Sequence, residues 1–116
     1  MASLPQVEAF LASFKTKMGV FTVIFRERDK NRQALIDLEI APITRQEILR
    51  ALTPENYYRG PTTDVDSGPD LWEFGVFVKQ KEVYIKITMG MQGRPVICIS
   101  FHCAERSIDY PFKRKL

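Results

Sequence analysis

Three short apolar segments in the second half of the chain, Leu71 to Val78, Val83 to Met89 and Val96 to His102, narrow the possible folds more than any other feature. Each is rich in β-branched and aromatic residues, and each reads as a strand. Lys79-Gln80-Lys81-Glu82 joins the first two, and Gly90-Met91-Gln92-Gly93-Arg94-Pro95 joins the second and third. A parallel neighbour needs a crossover of roughly a dozen residues, so links this short predict antiparallel hairpins.

The first half reads as helical. Val7, Phe10, Leu11, Phe14 and Met18 fall on one helix face, with Ser3 as N-cap, Pro5 in the first turn and Gly19 as a stop. Val20 to Phe25 reads as an edge strand, Arg26 to Lys30 as a charged turn and Arg32 to Glu39 as a short helix. Thr44-Arg45-Gln46-Glu47 has the form of a capping box, with Ile43 and Ile48 at the hydrophobic-staple positions. Pro54 ends that helix near Leu52 or restarts it briefly at Glu55, and Gly60 to Pro69 is a turn-rich loop. Helices followed by strands predict an α+β fold, with N-terminal helices packed on a twisted antiparallel sheet.

A chain of 116 residues suits one domain, 1–116, and can bury a core without disulfides. No apolar run approaches the ~18 residues of a membrane span. Met1-Ala2-Ser3-Leu4-Pro5-Gln6 lacks the basic-then-apolar order of a signal peptide. A cytoplasmic protein with no membrane partner is expected, and Cys98 and Cys103 read as free thiols. Cys98, His102 and Cys103 crowd three would-be zinc ligands into six residues with no fourth in view. Asp64 and Asp66 alternate as in a calcium loop, but the central Gly and distal Glu are missing. No metal or other cofactor is expected. A net charge of +3 permits an anionic partner without requiring one. Its clusters, Arg26, Arg28, Lys30 and Arg32 in one loop and Lys113, Arg114 and Lys115 in another, read plainly as solvated.

Strand parity is more informative. Val83, Ile85, Ile87 and Met89 share one face of their strand, and Tyr84, Lys86 and Thr88 share the other. Ile97, Ile99 and Phe101 alternate with Cys98, Ser100 and His102. With the aliphatic faces toward the helices, a hairpin that pairs Lys86 with Ser100 pairs Tyr84 with His102 and leaves a five-residue loop, Met91 to Pro95. Trp72, Phe74, Val76 and Val78 form the bulky face of the first strand, so Glu73 joins the polar surface with Gly75 and Phe77. Glu73, Tyr84, Lys86 and His102 then gather on one surface.

Such a set suits RNA cleavage without metal. The 2′-hydroxyl loses a proton as it attacks phosphorus, the leaving 5′-oxygen gains one, and the phosphorane's added charge calls for cations. Histidine is the side chain suited to moving protons near neutrality. Glu73 is either the base or the holder of a cation, Lys86 neutralises phosphate, and Tyr84 donates a hydrogen bond or stacks on a base. A solvent-facing sheet surface is also polar by default, which gives the same residues a plain structural reading.

Val83-Tyr84-Ile85-Lys86-Ile87-Thr88 followed by Val96-Ile97-Cys98-Ile99-Ser100-Phe101 resembles the MqsR family, the messenger-RNA-cleaving toxins of bacterial type II toxin–antitoxin systems, within the broader RelE-like group. Upstream, Leu52-Thr53-Pro54-Glu55-Asn56-Tyr57-Tyr58-Arg59, Thr62-Thr63 and Leu71-Trp72-Glu73 follow the same order of segments. The resemblance implies a metal-independent endoribonuclease that leaves a 2′,3′-cyclic phosphate. The family's strand tyrosine falls on Tyr84. One of its lysines falls on Arg59, its glutamine on Glu73 and its last lysine on His102, so the resemblance implies catalytic roles at Arg59, Glu73, Tyr84 and His102. Lys86, Lys113, Arg114 and Lys115 would bind RNA. The implied partners are messenger RNA, a cognate antitoxin that covers the site, and the ribosome.

Two other readings use the same residues. One is a non-enzymatic RNA- or protein-interaction module with Trp72, Phe77 and Tyr84 as contact aromatics. The other is a metal hydrolase built on Asp64, Asp66, Asp70 and His102.

Overall fold

In the computed structural model, the described residues are 1–64 and 68–113. Asp66, Arg114 and Lys115 lie outside them. Helix α1, Leu4–Met18, opens on a capping box in which the Ser3 hydroxyl accepts from the Gln6 amide and the Gln6 side chain accepts from the Ser3 amide. Val7, Phe10, Leu11, Phe14 and Met18 are all buried, as their spacing predicts. Strand β1, Ile24–Phe25, helix α2, Asp29–Leu38, helix α3, Thr44–Arg50, and a 3-10 turn, Pro54–Asn56, lead into four strands: β2, Tyr57–Thr62; β3, Leu71–Val78; β4, Lys81–Thr88; and β5, Ile97–Cys103. They form one sheet in the order β1-β5-β4-β3-β2. The core lies between α1 and one face of that sheet, where Trp72 stacks on Phe10 with ring centroids 4.3 Å apart. The fold is α+β, with N-terminal helices against a five-stranded sheet.

Several local expectations are corrected. β1 is an edge strand but only two residues long, because Val20 and Phe21 continue the turn that ends α1, both amides bonding the Lys17 carbonyl. It also pairs parallel to β5, so the sheet is mixed rather than antiparallel throughout; the rest of the chain supplies the crossover. α2 begins at Asp29, which takes Asp29 and Lys30 out of the expected charged turn. Thr44 is not an N-cap. Ile43 is already helical, with φ −65°, and Pro42 starts the turn early, so neither the capping box nor the staple forms.

The largest omission is β2. Its Gly60-Pro61 pair reads as a turn, yet proline is tolerated on an edge strand because no ladder donor is needed there. Gly60 sits at φ 115° where a Cβ would lie 2.8 Å from the Leu71 carbonyl oxygen, so this close approach requires glycine.

The β3–β4 turn is the two-residue Lys79-Gln80, both with positive φ, which suits a twisted hairpin. The β4–β5 connection runs 89–96, longer than the expected Met91 to Pro95. Lys86 pairs with Ser100 and Tyr84 with His102, as parity requires. Ile87, however, pairs with Cys98, so Ile99 is an extra residue in β5. Parity is therefore corrected beyond the bulge: Cys98 packs in the core, and Ile99 leaves that cluster.

Asn31 makes the bulge tolerable. Its Nδ2 donates to the Ile99 and Arg26 carbonyls, each at 3.0 Å, and its Oδ1 accepts from the Phe101 amide at 3.0 Å. Beyond the end of β1, one side-chain amide thus replaces a peptide of the missing neighbour strand and ties the start of α2 to β5.

Candidate active site

The strand register crosses the sheet in rows. Arg59 on β2 faces Glu73 on β3, which faces Lys86 on β4, which faces Ser100 on β5. In the adjacent row Gly75, Tyr84 and His102 align. Glu73 is only 4% exposed, and both of its oxygens are engaged. Arg59 Nε donates to Oε2 at 2.9 Å, and the Tyr84 hydroxyl donates to Oε1. A buried carboxylate held by a guanidinium and a phenol fits the second of its two possible roles, holding a cation rather than taking a proton.

The same arrangement acts on its partners. The bond to Glu73 raises the Arg59 pKa further. Burial first, and then the bond to Glu73, push the Tyr84 phenol well above the usual tyrosine range. Tyr84 is therefore a permanent hydrogen-bond donor at neutral pH and not a base. Arg59 engages Glu73 through Nε alone, rather than through a two-nitrogen fork, and lies over the Tyr58 ring at 4.7 Å.

His102 stands beside Tyr84, with ring centroids 5.4 Å apart. Its Nδ1 lies 3.0 Å from the Cys103 carbonyl oxygen. A carbonyl only accepts, so Nδ1 carries the hydrogen and Nε2 of the neutral ring keeps the free lone pair. Lys86 makes no ion pair among the described residues, because the carboxylate opposite it is already engaged.

Arg59, Tyr84, Lys86 and His102 line a cleft of about 590 Å³, in the range of small-ligand sites, with Glu73 outside its lining. One wall is the segment after β5. Gly75 makes room for it: a Cβ there would lie 2.6 Å from Ile108 Cδ1. Glu82 anchors the segment, accepting from the Ile108 amide at 3.1 Å and from the Tyr110 hydroxyl at 2.8 Å. The start of α2 forms a further part of the lining.

The structure brings Arg59, Glu73, Tyr84, Lys86 and His102 together. It does not bring Lys113 to them: that side chain lies beside the Tyr110 ring, outside the cleft lining. Asp64, Asp70 and His102 form no metal-holding group among the described residues.

Sequence reasoning missed Tyr58, Arg106 and Glu105 as lining residues and read Arg28 and Lys30 as merely solvated. The charge run at 26–32 was the one available signal for the latter two. Nothing local marks Arg106, which reaches the cleft only because the segment after β5 turns back across the sheet. No helix among the described residues is long and apolar enough to cross a membrane. No family model, curated protein or solved structure matches the chain.

Proposed function

We propose that this chain is a metal-independent endoribonuclease of the messenger-RNA interferase kind, similar to the MqsR toxins, that cleaves RNA by 2′-hydroxyl attack. One observation carries the reading: His102, the ring of Tyr84 and the cations of Arg59 and Lys86 line one cleft.

Nε2 of His102 accepts the 2′-hydroxyl proton or, once protonated, returns one to the leaving 5′-oxygen. The phosphorane formed between those steps carries an additional negative charge. At 4 Å and an effective dielectric near 20, each cation is worth about 4 kcal/mol to that charge. Arg59, held by Glu73, and Lys86 supply two. Tyr84, its one hydroxyl proton held by Glu73, stacks on a base beside the scissile phosphate, and Glu73 positions Arg59 and Tyr84. The products are a 2′,3′-cyclic phosphate and a free 5′-hydroxyl. In this reading an antitoxin protein that covers the cleft is the natural regulator, and the ribosome is a further partner where cleavage depends on translation.

The interaction-module reading is less well supported. Of its three contact aromatics, Trp72 packs on Phe10 in the core and Tyr84 lies in the cleft, leaving only Phe77 well exposed.

The test is RNA cleavage in chelator with end-group analysis, repeated with ribosomes present. His102→Ala is expected to lose about 10²- to 10⁴-fold in rate, the usual size of a general acid–base contribution, with little change in melting temperature. Full activity in His102→Ala overturns the assignment of the proton-transfer group, and activity that chelator removes overturns the metal-independent reading.

A further inference from the structure

The cleft carries more positive charge than one scissile phosphate needs. Arg59 and Lys86 rise from its sheet floor. Arg28 and Lys30, at the start of α2, and Arg106, in the segment after β5, also line it. Lys30 is paired with Glu105, and Asp29 with Arg32. Arg28 and Arg106 are exposed and make no ion pair among the described residues. Guanidiniums left unpaired at a cleft mouth match phosphate by shape as well as by charge. They come from separate segments of the lining, apart from the sheet residues that would hold the scissile phosphate.

We infer that Arg28 and Arg106 bind the phosphates flanking the scissile one, so that the substrate is a single-stranded RNA oligonucleotide rather than a dinucleotide or a duplex. This inference rests on the ribonuclease reading of the same cleft. A duplex keeps its 2′-hydroxyls in the minor groove of a stiff A-form helix. The half-buried Tyr84 and His102 at the cleft floor are accessible instead to a strand whose backbone can bend inward while Arg28 and Arg106 hold its phosphates.

Binding and cleavage are measured separately. A fluorescent octanucleotide made entirely of 2′-O-methyl RNA has no nucleophile, so it reports binding alone. Its affinity is followed across a salt series for the wild type, Arg28→Ala/Arg106→Ala and His102→Ala. For single strands, each phosphate that the protein no longer neutralises takes about 0.7 from the slope of log K against log salt. The double variant is expected to lose about 1.4 from that slope, and His102→Ala to lose none. In cleavage, the double variant is expected to raise KM at least tenfold on an unmodified octanucleotide, with kcat changing far less.

An unchanged salt slope in the double variant overturns the inference, as does failure of the wild type to bind the octanucleotide. A reduced slope in a protein that cleaves no RNA supports phosphate binding by the two arginines and counts against the ribonuclease reading, so the two fail separately.

Discussion

Asn31 gives the sharpest test of how the cleft is held. It is 2% exposed, and its amide takes up three backbone groups: the Arg26 and Ile99 carbonyls and the Phe101 amide. Arg26 is exposed, so water can replace that bond in Asn31→Ala. The other two groups sit at buried positions on β5 and would be orphaned. Each such group costs about 1–3 kcal/mol, giving roughly 3–4 kcal/mol for the pair. With a urea slope of about 2 kcal/mol/M, the unfolding midpoint should fall by nearly 2 M, and a total stability of about 5–15 kcal/mol leaves the variant folded in water. Amide exchange at Phe101 should accelerate well beyond that of the other β5 amides, since the loss is local first. Asn31→Asp keeps the acceptor for Phe101 but sets a carboxylate against two carbonyls. It should be at least as destabilising at pH 7 and should recover relative to the wild type as the carboxyl group protonates. A loss below about 1 kcal/mol in Asn31→Ala, with Phe101 exchange unchanged, would refute the view that this side chain substitutes for a strand.

Three further outcomes follow from the site and its surroundings. Glu105 is exposed and its carboxyl is held low by Lys30, so Glu105→Gln frees a cation at the rim; RNA affinity should rise roughly two- to fivefold, and unchanged or weaker binding would count against the electrostatic picture. Burial and then the bonds to Glu73 and Glu82 raise the Tyr84 and Tyr110 phenols above their unfolded value. Their stabilisation is therefore complete below about pH 10 and is lost as pH rises toward the folded values, so melting temperature should fall above about pH 10 and Tyr84 and Tyr110 should ionise only with unfolding. Reversible titration of both with circular dichroism intact would contradict this. Burial pushes the Cys98 thiol up to about 12, so alkylation at pH 8 followed by mass spectrometry should find Cys103 modified and Cys98 protected until denaturant is added.

Much of this was legible where period and burial agree. The helical spacing of Val7, Phe10, Leu11, Phe14 and Met18 marks one face without ambiguity, and the two-residue period of β3 and β4 places Glu73, Tyr84 and Lys86 together. What escaped did so for specific reasons. Cys98 and Ile99 are both apolar, so parity passes over the bulge without a mark, although the register of Ser100 and His102 survives it. Gly60-Pro61 carries the chemistry of a turn and of an edge strand alike. The pairing of β1 with β5 joins segments too far apart for any local pattern to report. Arg28 and Arg106 are separated by most of the chain, so they line one cleft only in three dimensions.

The rows of side chains across the sheet impose a rhythm on tolerance to mutation. Ile85 and Phe101 face the core, and their immediate neighbours Tyr84 and His102 face the cleft. Along β4, substitutions at Val83, Ile85 and Ile87 should damage folding, and those at Tyr84 and Lys86 should damage the cleft at less cost in stability. In β5 the alternation slips by one position at Ile99, with Cys98 belonging to the core and Ser100 to the cleft. A saturation scan would therefore record the bulge as a break in phase, visible without any structure at all.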